Sequence, residues 1–129
     1  GLSNRQIELL EEPHIAQFVT LMDDGSPQIS PVWIDTDGIN VLINSALGRL
    51  KTNNIERDSR VAVGIYDPAN AYSRVVNITG TVSRITQDGA DEHINLLAKK
   101  YLNTEEYEGR NIQDTRVIIV IKPDRITGI

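Results

Sequence analysis

Apolar and polar residues alternate in several short segments of the chain, with the two-residue period of half-buried β-strands. In the first half, this pattern predicts strands over residues 15–22, 28–34 and 39–43. The segments between them read DDGSP and DTDG, which are turn-forming sequences. We therefore expect an antiparallel meander of three strands joined by two tight hairpins.

The second half of the chain predicts four more strands, over residues 61–66, 74–85, 116–121 and 125–129. Gly80 lies inside the longest of these, where a glycine indicates a β-bulge or a close backbone approach. Residues 122–124 read KPD, and we expect them to separate the last two strands because proline cannot donate a ladder hydrogen bond.

Three helices are predicted among the strands. Ser3 is placed to cap a short helix that ends before Pro13, and residues 48–57 predict a second short helix. A long amphipathic helix is expected to begin at Asp88 as its N-cap. Its apolar residues recur at helical spacing, and they are Ile94, Leu97, Ala98, Tyr101 and Leu102.

Six or seven strands with one long and two short helices predict a mainly β fold in one domain, residues 1–129. Hairpin connections favour an antiparallel sheet, which closes most naturally as a small barrel. The lumen of such a barrel is filled by side chains. A binding site is therefore expected on the rim or at a subunit interface.

Composition excludes several classes of protein. The 129 residues include no Cys, which rules out disulfides, thiolate metal sites and a cysteine nucleophile. The net charge of −5 argues against a surface that binds nucleic acid or anionic membrane. No apolar run is long enough to span a bilayer, and the N-terminus does not resemble a secretory signal. We expect a cytoplasmic protein.

The negative charge is unevenly distributed. Residues 49–60 carry four basic and two acidic side chains, a local charge of +2: Arg49, Lys51, Arg57 and Arg60 against Glu56 and Asp58. Just before them, Ser45 offers a hydroxyl and Gly48 permits close backbone approach. Residues 44–51 thus contain the parts of a phosphate site, although a solvated basic loop with a capping serine explains the same residues.

Two other segments offer binding groups. Pro31 lacks an N–H and marks its strand as an edge, where free backbone groups and Trp33 can contact a flat heterocycle. Tyr72 and Arg74 would share one face of an extended chain and could present a ring and a cation. Each has a structural alternative. Trp33 could be a core or interface residue, and Tyr72 and Arg74 could be a surface pair at a strand end.

No constellation for nucleophilic or acid–base catalysis is visible. His14 is expected to start a strand, His93 to lie on the solvated face of the long helix, and residues 11–12 to be a solvated acidic pair. If the protein is an enzyme, a bound cofactor is expected to supply the reaction.

Several motifs in order resemble one known family. The segments are PHIA at residues 13–16, DGSPQISPVW at 24–33, GRLKTNNI at 48–55 and RDSRVAV at 57–63. Together they resemble the pyridoxamine 5′-phosphate oxidase-like superfamily, and most closely its flavin/deazaflavin oxidoreductase branch, which includes enzymes that use coenzyme F420. The similarity extends over essentially the whole chain.

The resemblance implies a split β-barrel homodimer with two cofactor sites in the dimer interface. Matching positions imply that the cofactor phosphate is held by Asn44, Ser45, Arg49 and Lys51, with Asn54 nearby. The ring would lie on residues 28–33, of which the candidate contacts are Gln28, Ser30, Pro31, Val32 and Trp33. Tyr72 and Arg74 would come from the other subunit.

The implied activity is hydride transfer between F420 or FMN and a small organic substrate. The acidic tail of F420 would need an extended cationic groove, to which Arg57, Arg60 and Arg74 could contribute. Oxidation of pyridoxamine phosphate is less favoured because residues 122–129 do not match the expected substrate-binding pattern. Non-catalytic flavin or haem binding, or a dimeric interaction protein with an empty groove, stay open as alternatives.

Overall fold

Strands dominate the part of the chain that the computed structural model describes, residues 1–109 and 113–128. This part contains three α-helices: α1 (Asn4–Glu11), α2 (Leu50–Arg57) and α3 (Ala90–Leu102). Its seven strands are β1 (Ala16–Leu21), β2 (Pro27–Val32), β3 (Asp35–Thr36), β4 (Val41–Ala46), β5 (Arg60–Tyr66), β6 (Val75–Thr86) and β7 (Arg116–Gly128). The mainly β class, with one long and two short helices, is confirmed.

All seven strands form one antiparallel sheet in the order β2-β1-β5-β6-β7-β4-β3. The two edge strands, β2 and β3, are consecutive in the chain and are separated only by Trp33 and Ile34. Three residue steps span at most about 11 Å. The sheet must therefore curl until its edges approach each other, which produces the split barrel.

The connection between the edges is fastened to α3. The Ile34 N–H donates to the Tyr101 hydroxyl at 3.1 Å, and Lys100 Nζ donates to the Ile34 carbonyl at 2.6 Å. Tyr101 in turn donates to the His14 carbonyl at 2.6 Å. Burial lowers the pKa of Lys100 to about 8 and raises that of Tyr101 to about 12. Both side chains are thus partly removed from solvent and hydrogen-bond to backbone groups.

The expected three-strand meander is wrong in its last strand. β1 and β2 form the predicted hairpin, with Ala16 opposite Val32. However, β4 pairs with β7 and with the short strand β3, not with β2. Asp35 and Thr36 were expected in a turn but form β3, so the turn begins at Asp37. Long-range pairing with β7 determines this strand order, and local sequence does not encode it.

The expected break in the last strand is also wrong. β7 continues through residues 122–124 because it carries one extra residue there: Thr79 pairs with Arg125 and Gly80 with Pro123, so Asp124 bulges out of the ladder. The bulge or close backbone approach predicted at Gly80 is confirmed: the extra residue lies opposite it on β7, and the Lys122 backbone approaches Gly80 closely. The bulge accommodates the proline within the ladder. The predicted end of the strand at Ile129 lies outside the described residues.

The helix ends agree with the sequence in part. Ser3 caps α1, as expected, and does so in a reciprocal capping box with Gln6. The start of α3 is later than expected: Gly89, in a left-handed conformation at φ 73°, precedes the first helical residue, Ala90. Asp88 therefore lies outside the helix, where its N–H donates to Thr86 Oγ1.

One face of the sheet packs into the core and the other is open. The core consists of side chains that alternate along the strands, and its fully buried members include Phe18, Ile34, Ile43, Ile65, Ile78, Ile119 and Ile121. On the opposite face, a shallow groove with a volume of about 630 Å³ crosses β2, β1, β5, β6 and β7. Its apolar lining residues include Val19, Ile29 and Ala62. None of the helices described is long and apolar enough to cross a membrane.

The bulge opposite Gly80 leaves no room for a side chain at this position. A Cβ there would lie 2.6 Å from the Lys122 carbonyl oxygen and 2.9 Å from Ile121 Cγ2. We predict that Gly80→Ala lowers the free energy of unfolding by about 1–3 kcal/mol, the typical cost of an overpacked site. Urea denaturation measures this value. Gly64→Ala is the matched control because its Cβ would meet only the Asn77 Oδ1 at 3.2 Å. Equal unfolding free energies for the two variants would contradict the prediction.

Candidate functional site

A pocket of about 320 Å³ lies at the split of the barrel. The end of β2 and the Trp33 connection form one side, and the end of β4 with the loop before α2 forms the other. Apolar residues of α3 close the back. The lining residues are Ile15, Pro31, Val32, Trp33, Asn44, Ser45, Arg49, Lys51, Ile94, Leu97, Tyr107 and Arg116. Seven of the twelve site residues expected from the sequence are therefore brought together here.

Three cations converge on this pocket: Arg49, Lys51 and Arg116. Burial, together with the nearby charges of Arg49 and Arg116, holds the pKa of Lys51 below its ordinary value. Asp114 offsets part of this charge, with its Oδ2 at 3.4 Å from Arg49 and 4.0 Å from Arg116. A bound anion would relieve the remaining repulsion, since it would stabilise the charged form of each side chain.

Ser45 supplies an unsatisfied hydroxyl at the same place. Its side chain is 3% exposed, and its Oγ has no hydrogen-bond partner among the residues that the structure describes. Buried hydroxyls are normally hydrogen-bonded, so a buried hydroxyl that has no such partner and lines a cationic pocket indicates a ligand with acceptor oxygens. The donor set of one hydroxyl and three cations fits a phosphate group.

The turn between β4 and α2 places these donors. Gly48 takes a left-handed conformation at φ 84°, which reverses the chain after β4. Thr52 Oγ1 then donates to the carbonyl of Ala46 at 3.0 Å and to that of Arg49 at 2.8 Å, so the first turn of α2 is held against the strand end. Arg49 is the N-cap of α2 and makes no side-chain capping bond. Its guanidinium lies 3.4 Å from Asp114 Oδ2.

Trp33 forms the aromatic wall of the pocket. Its ring stacks on Tyr101, with centroids 5.1 Å apart, and meets Tyr107 edge-on at 5.7 Å. Next to it, Pro31 lies on the edge strand β2, as its missing N–H predicted. Ser30, one residue earlier, does not line the pocket, although its Oγ has no partner among the described residues.

Arg116 is a functional candidate that the sequence analysis did not select. It is 6% exposed and donates from Nε and Nη2 to Asn44 Oδ1, at 3.0 and 2.8 Å. A single arginine that opens the apolar run VIIVI was the available signal, because charged residues are rarely buried without a specific partner. Asn44 itself was expected to hold phosphate, but its amide oxygen is engaged by Arg116.

The expectation of a solvated His93 is wrong. Its side chain is buried, with Nε2 at 3.0 Å from Asp35 Oδ2 and Nδ1 at 3.2 Å from Asn44 Nδ2. The helical pattern alone did not reveal this, since Asp35 is 58 residues away in the chain. His93 therefore lies directly behind Asn44, which lines the pocket.

Gln28 and Asn54 lie together, away from the pocket. Asn54 is 1% exposed and donates to Thr20 Oγ1 at 3.0 Å, while Thr20 donates to Gln28 Oε1 at 3.2 Å. The Asn54 oxygen also accepts from Arg57 at 2.9 Å. These contacts join α2 to the β1–β2 hairpin.

Tyr72 and Arg74 do not share an extended face, because residues 71–74 form a turn before β6. Tyr72 is fully exposed. Arg74 bonds within its own chain, with Nη1 2.8 Å from Glu12 Oε1 and also bonded to Asp67. Glu12 is therefore an ion-pair partner and not part of a solvated acidic pair. Glu12 and Asp67 also lie near His14, but Arg74 already supplies the positive charge between the two carboxylates.

Known structures share this fold. An F420 reductase is 30% identical to the chain, with a TM-score of 0.83 over 93% of this chain and 94% of its own. HupZ from Group A Streptococcus is 20% identical, with a TM-score of 0.70 over 98% of this chain and 92% of its own. General Stress Protein 26 from Bacillus anthracis is 18% identical, with a TM-score of 0.70 over 95% of this chain and 88% of its own.

Sequence comparison agrees with the structural likeness. Among curated proteins, none matches the chain. The family comparison matches residues 3–129, nearly the full length, to pyridoxamine 5′-phosphate oxidase. Together with the split barrel, this match shows that the chain belongs to the pyridoxamine 5′-phosphate oxidase family.

Proposed function

We propose that this protein binds the phosphate of F420 or FMN in the basic pocket and catalyses hydride transfer between that cofactor and a small organic substrate. The observation that carries the proposal is the buried Ser45 hydroxyl, unpartnered among the described residues, beside three converging cations. Membership of an oxidoreductase family and the 30% identity to an F420 reductase support it.

The side chains of the pocket have separate tasks in this proposal. Lys51 and Arg49 would hold the phosphate by charge-assisted bonds, and the Ser45 hydroxyl would complete the donor set. Ile94 and Leu97 exclude water from the back of the pocket. A bound flavin or deazaflavin ring supplies the hydride chemistry. The chain's own contribution is thus to bind and orient, which is a large share of catalysis when a cofactor reacts.

The edge strand β2 is the support that we propose for the ring. Pro31, Val32 and Trp33 connect the phosphate pocket to the outer side of β2, where none of the described strands pairs. Backbone groups on that side are available to a polar heterocycle, and Trp33 is held rigidly by its stacking on Tyr101. The opposite face of such a ring would be left for the substrate.

We place F420 before FMN because of the identity to an F420 reductase. The cationic residues that the sequence suggested for the F420 tail are each paired with a carboxylate of this chain. Arg57 pairs with Asp23 at 2.9 Å, Arg60 with Asp58 at 2.7 Å, and Arg74 with Glu12. We therefore assign only the phosphate to this chain's basic residues and leave the tail outside the proposal.

We also propose that two copies assemble through the open face of the sheet. This face carries a shallow groove with a volume of about 630 Å³, whose apolar lining residues include Val19, Ile29 and Ala62. Contiguous exposed apolar surface of this kind marks an interaction site. Ile15 lines both the basic pocket and the neighbouring surface beside this face. A second copy would thus border the pocket, where its Tyr72 could contribute.

The phosphate assignment predicts the effect of Lys51→Ala. Loss of a bond to a charged group should weaken cofactor affinity by about 1–3 kcal/mol. Titration with FMN and with F420, followed by fluorescence, measures this change. Lys99→Ala is the matched control because Lys99 is exposed and pairs with Glu105, away from the pocket. Unchanged affinity in Lys51→Ala would refute the phosphate site.

The same purified protein separates the alternatives. Binding of F420 or FMN, followed by turnover in a reductase screen with the reduced cofactor, is the expected result. Tight binding without turnover of any substrate would favour a non-catalytic cofactor-binding protein, and a Soret band would indicate haem. A colourless protein that binds neither cofactor would defeat the proposal.

The assembly proposal predicts that a charge on the open face separates the copies. Ile29 is 61% exposed, and Ile29→Glu should convert a dimer into a monomer because the new carboxylate would be buried without a partner. Sedimentation velocity measures the change. Ile39→Glu is the control, since Ile39 is 73% exposed in a turn outside this face. A monomeric unmodified protein would contradict the assembly.

A further inference from the structure

A chain of hydrogen bonds leads from the edge strand β3 to the basic pocket. Asp35 Oδ2 lies 3.0 Å from His93 Nε2, and His93 Nδ1 lies 3.2 Å from Asn44 Nδ2. Asn44 Oδ1 then accepts both bonds from Arg116. The four residues come from β3, α3, β4 and β7, so the chain of bonds ties together four of the elements around the pocket.

The partners of Asn44 fix the direction of every bond. Its oxygen must face Arg116, which only donates, and its nitrogen must face the Ala90 carbonyl at 2.8 Å, which only accepts. The same nitrogen donates to His93 Nδ1, so that atom is an acceptor. His93 therefore carries its proton on Nε2 and donates it to Asp35.

Asp35 anchors the far end of the chain of bonds. Burial alone would raise the pKa of Asp35, but hydrogen bonds from His93 and from the Thr36 N–H, with the charge of Lys100, hold it below the ordinary value. An ionised carboxylate at one end and a guanidinium at the other give the two neutral groups between them a single orientation. Bonds in such a series strengthen one another.

Arg116 needs this support because other groups also attract it. Asp114 Oδ2 lies 4.0 Å from its Nη1, and the Tyr107 ring lies 5.7 Å from its Cζ. Two bonds to Asn44 Oδ1 select one position of the guanidinium beside Lys51. A pre-ordered arginine loses less side-chain freedom when an anion binds.

We propose that Asp35, His93 and Asn44 are positioning residues that set Arg116 as an anion-binding group of the pocket. This inference rests on the phosphate site of the proposed function. The ligand class is a phosphate ester, and the relay of Asp35, His93 and Asn44 acts on its affinity only through Arg116. His93 is thus placed behind the binding wall, where it touches no ligand.

The test measures the dissociation constant of inorganic phosphate by thermal-shift titration of the purified full chain. Arg116→Met should raise this constant at least about tenfold, because a bond to a charged group is lost. His93→Phe, which removes the acceptor for Asn44, should raise it about threefold to tenfold. The double variant should bind no more weakly than Arg116→Met alone.

A conservative variant separates positioning from folding. In His93→Asn, the side-chain oxygen lies near the place of Nδ1 and accepts from Asn44, although the bond to Asp35 is lost, so the constant should be at least about twofold lower than in His93→Phe. Leu96→Gln, at an exposed site of the same helix, is the matched control. If Arg116→Met does not fold, Arg116→Lys replaces it in the comparison of single and double variants. Lysine keeps the charge but lacks the planar guanidinium that donates two bonds to Asn44.

The outcomes distinguish the relay from the site itself. Phosphate binding that depends on Lys51 and Arg116 but not on His93 would overturn the relay alone. Equal effects of His93→Phe with and without Arg116 would overturn it as well, because the relay acts only through that arginine. No phosphate binding by the unmodified protein would overturn the phosphate site, and the relay with it.

Discussion

The two-residue connection between opposite edges of the sheet determines most of this structure. β2 and β3 are the outermost strands in hydrogen-bond order, yet only Trp33 and Ile34 separate them along the chain. Such a short connection forces the sheet to curl and leaves a gap where its edges meet. Ile34 fills the interior side of that gap, while Trp33 faces the pocket. Core and site are thus built from neighbouring residues with opposite environments.

The same connection decides where α3 lies. Tyr101 and Lys100 bond the backbone of Ile34, and Trp33 stacks on the Tyr101 ring. This fastening brings Ile94 and Leu97 to the back of the pocket and His93 to Asn44. The depth of the pocket is therefore a consequence of barrel closure and needs no separate explanation.

Local sequence predicted what depends on neighbouring residues. The N-cap at Ser3, the close backbone approach at Gly80 and the edge position of Pro31 each follow from the chemistry of one residue, and the basic segment follows from its charges. Sequence could not predict the pairing of β4 with β7, which joins residues about 70 to 80 positions apart. The buried state of His93 and the role of Arg116 depend on that pairing, because Asn44 lies between them. Asn54 and Arg74 carry suitable groups, but partners elsewhere in the chain already engage them.

The proline positions of β2 have a consequence for the behaviour of the protein at high concentration. An exposed edge strand is a template on which another chain can add a strand, and this is a common route to aggregation. Pro27 and Pro31 lie in this six-residue strand, so two of its N–H groups are missing. A foreign strand would find an interrupted ladder on β2. The edge can therefore stay open to a small flat molecule without also recruiting polypeptide.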